Sequence, residues 1–393
     1  MPSKQKLPKS IWILGFVSMF MDISSEMVHG LLPVFLVSVI GANAMTVGFI
    51  EGFGEGLALI IRVFSGTLSD RLGKRKIIIV SGYLMGTLTK PLFAVATGVG
   101  AVFTARSLDR IGKGLRGAPR DALIADFTPS HQRGSAYGLR QSLDSLGAVL
   151  GPLIAVALMI LTSNDFRLIF WLAVIPGIIA VTILVIFVHE PETPPFKFEW
   201  KKFWKGNISG LGISFWIVIG LGIVFTLARF SEAFLLLRAK DIGASASMVP
   251  IMLVIMSLVY AIGAYPIGRL SDRIGRTGLL SVGLLVLIIS DFVLAMATDI
   301  IYVSLGSALW GLHMALTQGL FAALVADTSG EKNRGTAFGI YGLVTGIAIL
   351  VASVIAGWLW DQFGPPVTFY AGACFSLITL VGIFTLRKRV EIL

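Results

Sequence analysis

Stretches of about 20 mostly apolar residues, the length an α-helix needs to cross the hydrocarbon core of a bilayer, recur along almost the whole of this chain. Short breaks rich in glycine, proline or charge separate them. Twelve spans can be read, at roughly 11–40, 46–66, 77–97, 101–125, 135–160, 167–188, 209–237, 247–268, 279–297, 300–325, 335–360 and 367–386. With 55% hydrophobic and only 14% charged residues, nothing between the spans is long enough for a soluble domain. In lipid every backbone polar group must be paired within the chain, so the expected fold is an all-α membrane protein of twelve transmembrane helices. The first span is too long and too polar for a cleavable signal peptide and is expected to remain as a helix.

The formal charge of +10 invites a nucleic-acid reading, but the placement of the basic residues argues against it. Twenty of the 32 Lys and Arg fall in the segments that a cytoplasmic N-terminus leaves inside, against Arg167, Arg238 and Lys240 in the opposite set. By the positive-inside rule both termini are expected in the cytoplasm, in a multi-pass protein of the inner membrane. Cys374 stands alone and cannot form an internal disulfide.

At an offset of about 201 residues the chain repeats itself twice. Gly66-Thr-Leu-Ser-Asp70-Arg71-Leu-Gly73-Lys74 returns as Gly268-Arg-Leu-Ser-Asp272-Arg273-Ile-Gly275-Arg276. Leu-Ile-Ala125-Asp126, followed by Arg133-Gly-Ser-Ala-Tyr-Gly138, returns as Leu-Val-Ala326-Asp327, followed by Arg334-Gly-Thr-Ala-Phe-Gly339. Six spans per copy is an even number, so the copies share one orientation about an axis along the membrane normal. The expected organisation is two six-helix bundles related by a pseudo-two-fold axis, residues 1–188 and 209–393, joined by a basic, proline-containing linker, 189–208.

The Gly66–Lys76 stretch resembles the signature loop between helices 2 and 3 of the major facilitator superfamily, and the resemblance extends over the whole chain. Arg106, twenty residues before Asp126, is similar to the superfamily's helix 4 arginine. Gly147-Ala-Val-Leu-Gly151-Pro152 resembles a helix 5 Gly-Pro motif often associated with proton antiporters of its drug-efflux branch. Lys74 stands where the signature usually has arginine, and a lysine offers a point charge in place of a planar fork. The resemblance implies alternating access about a central cavity lined by helices 1, 4, 7 and 10. It also implies a cytoplasmic latch, here Asp70, Arg71, Lys74, Arg75, Asp126 and Arg133 in the first copy and Asp272, Arg273, Arg276 and Arg334 in the second. Asp70 is suited to the positive end of a helix, and its family counterpart meets the start of helix 11, near Arg334.

Ionisable residues inside a membrane are costly and mark functional pathways by default. The first copy carries fifteen: Arg62, Lys90, Arg106, Arg110, Lys113, Arg116, Arg120 and Arg140 against Asp22, Glu26, Glu51, Glu55, Asp109, Asp121 and Asp144. The second carries Arg229, Glu232 and Asp291. Asp22, Glu26 and His29 fall on one helical stripe, and two carboxylates one turn apart cannot both ionise freely, so one is expected to hold a proton. Asp22, Glu26 and Asp109 are therefore the candidate proton-coupling groups. On the fourth span Arg106, Arg110, Lys113, Arg116 and Arg120 project within about 140° of one another; they need internal carboxylates or an anionic ligand. An ion-pair network with helices 1, 2 and 5, including the Arg140–Asp144 pair, would serve the first need. The candidate substrate set is His29, Arg106, Arg110, Lys113, Arg229, Glu232, Trp310 and His313. Lys90 and Asp291, on spans peripheral in the family, read as structural.

Gly48, Gly52 and Gly56 form a close-packing face. Gly112-Lys-Gly114-Leu-Arg-Gly117 matches a dinucleotide fingerprint, yet it follows no strand and is better read as glycines that let helices approach. No Walker-type loop is present and no second His or Cys accompanies the helix 1 residues as a metal ligand. No metal or cofactor is expected, only a proton gradient. The expectation is a proton-coupled secondary transporter, monomeric, whose substrate is a small organic anion such as a carboxylated metabolite or a carboxylate-rich metal chelate. The alternatives are a multidrug or metabolite efflux antiporter for lipophilic or cationic compounds and, more distantly, an intramembrane enzyme or receptor.

Overall fold

A computed structural model describes residues 7–190, 210–274, 276–317 and 319–386, without the side chains at 265, 268–274, 276, 331–332 and 386. Among the described residues the chain is helical with no strand. The helices are α1 (Lys9–His29), α2 (Ala44–Leu72), α3 (Arg75–Val95), α4 (Val99–Phe127), α5 (Arg133–Leu161), α6 (Phe166–Leu172) and α7 (Val174–Phe187). There follow α8 (Ile213–Ala228), α9 (Ala233–Asp241), α10 (Ile251–Ile274), α11 (Arg276–Ala295), α12 (Ile300–Thr317), α13 (Leu320–Phe363) and α14 (Pro365–Leu386).

Each of the twelve expected spans is met by helix. The first is interrupted at Gly30 and Leu31 and continues as two short helical turns, Leu32–Phe35 and the wider Leu36–Ile40. The sixth and seventh are each broken in two, and the tenth and eleventh run together through α13, which bends at Gly330 (φ +64°, ψ 155°), a backbone state open to glycine. Ten helical segments among the described residues are long and apolar enough to cross a membrane, and Ile251–Ala264 is a shorter apolar one. The remaining span is α4, whose ladder of charge sets it apart.

The described chain forms two compact units, one of Met1–Leu32 with Ile60–Phe198, the other of Pro33–Leu59 with Glu199–Leu393. In the first, α1 packs on α5 and α7 while α3 packs on α4, around Ile11, Leu14, Val17, Met21, Ile79, Tyr83, Leu123 and Leu184. In the second, α8 packs on α13 and α14, and α12 on α10 and α11, around Phe215, Val218, Leu221, Phe225, Leu280, Leu284, Phe321 and Leu324. Large apolar residues such as Leu161, Ile301 and Phe384 remain exposed, as a lipid-facing surface requires.

Glycines set the closest helix approaches. A Cβ at Gly112 would fall 2.7 Å from the Gly82 carbonyl oxygen and 3.1 Å from the Gly86 nitrogen, so α3 and α4 meet through bare backbone. The glycine face of α2 belongs to the second unit, where Gly48, Gly52 and Gly56 lie against Ser353, Leu350 and Gly346 of α13. The same pair of helices is tied by Asp361, whose carboxylate accepts from the backbone N–H groups of Ala44 (3.0 Å) and Met45 (2.9 Å). These are unpaired donors at a helix N-terminus, where a negative charge is favoured.

Candidate functional site

The approach of α3 to α4 brings Lys90 beside the charged ladder. Its ammonium donates to Asp109 at 2.7 Å, with the Ser25 hydroxyl at 3.4 Å. The same carboxylate lies 3.3 Å from Arg110 Nε and 3.9 Å from Arg106 Nη1, so three cations converge on one aspartate. All four groups are at most 3% exposed. Arg116, two turns beyond Asp109, is 5% exposed and lays its guanidinium over the Tyr83 ring, 5.0 Å from the centroid. Among the described residues of this unit, Asp109 is the one fully buried carboxylate beside four fully buried cations, Lys90, Arg106, Arg110 and Arg116. Lys113, on the same ladder, is exposed.

Further along α4 the charges are matched. Arg120 donates to Ser18 (2.8 Å) and lies 3.6 Å from Asp121 and 3.9 Å from Asp144. Arg140 reaches Asp144 at 3.0 Å and Asp121 at 3.5 Å, and Arg62 of α2 reaches Asp121 at 2.8 Å. This is the network among helices 1, 2, 4 and 5 that the spacing anticipated for Arg120.

Asp22, Glu26 and His29 share one face of α1, as their spacing requires, and that face meets the Gly-Pro motif of α5. A Cβ at Gly147 would lie 2.9 Å from Asp22 Cβ, and one at Gly151 would lie 2.7 Å from Glu26 Cβ. The two glycines therefore seat both carboxylates against α5. Glu26 pairs with His29 Nδ1 at 3.5 Å and feels Lys113 and Arg110. Asp22 has Arg116 and Arg120 as cationic neighbours, and its stronger carboxylate neighbour is Asp144 rather than Glu26. The like-charge pair is thus assembled across helices, which spacing within one helix cannot reveal.

In the signature loop, Arg75 bridges Asp126 and Asp70, the latter at 3.2 Å. Glu190 was not singled out by the sequence, and it accepts from the backbone N–H groups of Arg75 and, at 3.1 Å, Lys76. It caps α3 from the far end of the same unit. Arg71, Lys74, Arg133 and Arg334 are exposed. The side chains of Asp272, Arg273 and Arg276 lie outside the described residues.

The second unit places Arg229 at the end of α8 and Glu232 at the start of α9, close enough for their charges to interact. The Arg229 guanidinium sits 5.5 Å over Phe225, and that ring is 5.8 Å from His313. His313 Nδ1 is 2.8 Å from the Gly283 carbonyl of α11, so Nδ1 carries a proton and donates it there. Trp310 is buried and packs 5.4 Å from Phe230. Among the described residues no three His, Cys, Asp or Glu cluster as metal ligands.

The family model of the Major Facilitator Superfamily matches residues 12–237 and 223–392. An MFS-type transporter of Methanocaldococcus jannaschii is 34% identical over 382 residues, covering 95% of this chain and 94% of that protein. The quinolone resistance protein NorA of Staphylococcus aureus is 24% identical, covering 95% and 96%. Among solved structures, a POT family transporter in complex with 5-aminolevulinic acid superposes with a TM-score of 0.83 at 14% identity, over 98% of this chain and 97% of that one.

Proposed function

Because the chain belongs to the major facilitator superfamily, a family of multi-pass membrane transporters and not of enzymes, we propose that it is a proton-coupled secondary transporter of a small organic anion. The observation that carries this reading is the charge imbalance around Asp109: four fully buried cations, Lys90, Arg106, Arg110 and Arg116, with one fully buried carboxylate. A carboxylated solute entering the first unit would meet a net positive wall there, with Arg106 and Arg110 as its charge-assisted donors. Lys113 and His29 complete the proposed substrate residues of the first unit, and Arg229, Glu232, Trp310 and His313 are those proposed for the second.

The proton is assigned to α1. Asp22 faces Asp144 as well as Arg116 and Arg120, so a proton on Asp22 leaves those arginines more strongly positive and favours the anion. This is a direct linkage between the two ligands. The protein works as a monomer in the inner membrane with both termini in the cytoplasm, by alternating access, with the Asp70–Arg75–Asp126 cluster as part of the cytoplasmic gate.

Binding of small carboxylates compared with neutral and cationic lipophiles tests the substrate class. Arg110→Ala is expected to weaken carboxylate binding by at least ~1.5 kcal/mol, the scale of a lost charge-assisted hydrogen bond. The second reading, a drug or metabolite efflux antiporter, is favoured by the likeness to the quinolone resistance protein and by Gly151-Pro152. Binding of neutral or cationic compounds alone, indifferent to Arg110→Ala, would select it.

A further inference from the structure

Outside the machinery described above, α11 carries a membrane-embedded carboxyl group, Asp291. The side chain is 0% exposed, and both carboxyl oxygens lack a hydrogen-bond partner among the described residues. The space around it is closed. A Cβ built at Gly372 of α14 would lie 2.7 Å from Asp291 Oδ2 and 3.0 Å from Phe230 Cε1, so the carboxyl is pressed between bare helix backbone and an aromatic ring. Phe230 in turn packs on Trp310 of α12 and Phe369 of α14, at 5.4 and 5.7 Å.

The internal repeat sharpens the contrast. At the 201-residue offset that relates Asp126 to Asp327, Asp291 stands where the first copy has Lys90, and Trp310 stands where it has Asp109. The first copy buries a matched ion pair, Lys90 on Asp109 at 2.7 Å. Its counterpart keeps a single acid and replaces the partner with an indole.

The charged and titratable groups on the surrounding elements are committed elsewhere or turned away. Arg238 of α9 donates to the carbonyls of Leu294 (3.0 Å), Ala295 (3.3 Å) and Ala297 (2.8 Å) and pairs with Asp241. His313 of α12 holds Gly283. Arg229 and Glu232 interact with one another on either side of Phe230, Tyr370 of α14 packs on Phe292, and Tyr260 lies on α10 by Arg229. None forms a hydrogen bond or ion pair with the Asp291 carboxyl.

We propose that Asp291 is a proton-binding site of the second unit, occupied in this conformation. An ionised carboxylate cut off from water and from any donor is costly enough that the group takes up a proton instead. The closed packing admits nothing larger without moving α14 or Phe230. The proton leaves only when those elements part, so protonation reports their packing state. The site is separate from Asp22 and Glu26 and stands whether or not those carry the coupling proton.

Infrared spectroscopy of the purified full-length protein at neutral pH, in H2O and D2O, tests this through the carbonyl band of protonated carboxylic acids. Asp291→Asn is expected to remove one carboxyl's share of that band, and Asp291→Glu to keep it at a shifted position. A band unchanged by Asp291→Asn overturns the proposal. If the asparagine variant does not fold, the glutamate variant decides: a band at the wild-type position and intensity overturns the assignment, a shifted one supports it. Added Na+ at constant pH is expected to leave the wild-type band alone. Its loss on adding Na+ makes Asp291 a small-cation site and also overturns the proton assignment.

Discussion

Replacing Asp109 with asparagine removes one negative charge and leaves the side-chain shape almost unchanged, which isolates the electrostatic role of the group on which Lys90, Arg106 and Arg110 converge. In the native protein the carboxylate holds Lys90 at 2.7 Å and Arg110 at 3.3 Å, with Arg106 at 3.9 Å. An amide oxygen accepts one hydrogen bond from Lys90 but compensates no charge, and the ammonium's other neighbour is the Ser25 hydroxyl at 3.4 Å. Each lost charge-assisted bond is worth about 1.5–3 kcal/mol, and breaking a buried ion pair by removing one partner costs about 3–5 kcal/mol. Asp109→Asn should therefore destabilise the protein by about 3–5 kcal/mol, read as the midpoint shift of reversible detergent-driven unfolding. Adding Lys90→Met to Asp109→Asn removes the orphaned ammonium and should recover about 1–3 kcal/mol, a coupling of the size found for residues in direct contact. An Asp109→Asn variant within about 0.5 kcal/mol of wild type, the range of additivity for uncoupled sites, would refute the idea that this carboxylate organises the buried cations.

Asp22→Asn should abolish pH-driven transport while leaving the protein folded; unchanged pH dependence in proteoliposomes would take helix 1 out of the coupling. Gly151→Leu forces a side chain onto Glu26 Cβ and the Ile23 carbonyl, 2.7 and 2.9 Å from a Cβ at that site. It should cost at least about 1–3 kcal/mol by overpacking, visible as a lower melting temperature by fluorescence, and a normal melting temperature would show that α1 and α5 can separate. Glu190→Gln removes the anion that caps α3 and should cost about 1 kcal/mol, with faster hydrogen exchange confined to the Arg75–Ile78 amides; unchanged exchange there would contradict the capping role.

The fold was legible because membrane helices announce themselves by length and apolarity, and every expected span is met by helix. α4 is the telling exception, since its charges set it apart from the apolar spans and only its place between two clear spans, and the internal repeat, identified it. The i, i+4 pair Arg140–Asp144 and the common face of Asp22, Glu26 and His29 were also legible, because helical periodicity fixes them locally. Convergence between helices was not. Lys90 reads as a lone cation on a peripheral span, and nothing in its neighbourhood along the chain points to Asp109, nineteen residues on. The pairing depends on the bare-backbone approach at Gly82 and Gly112. Glu190 was missed for a related reason: a cap supplied from 115 residues away leaves no local signature. The glycine runs were read correctly as packing faces, but the sequence could not say that Gly48, Gly52 and Gly56 meet α13.

The most direct test of the central claim is uptake of a radiolabelled small carboxylate by proteoliposomes of the purified protein under an imposed pH gradient, with a lipophilic cation as the parallel substrate. The account predicts carboxylate flux that depends on the gradient, collapses with a protonophore and is lost in Arg110→Ala. Gradient-driven flux of the cation alone, undiminished by Arg110→Ala, would contradict it.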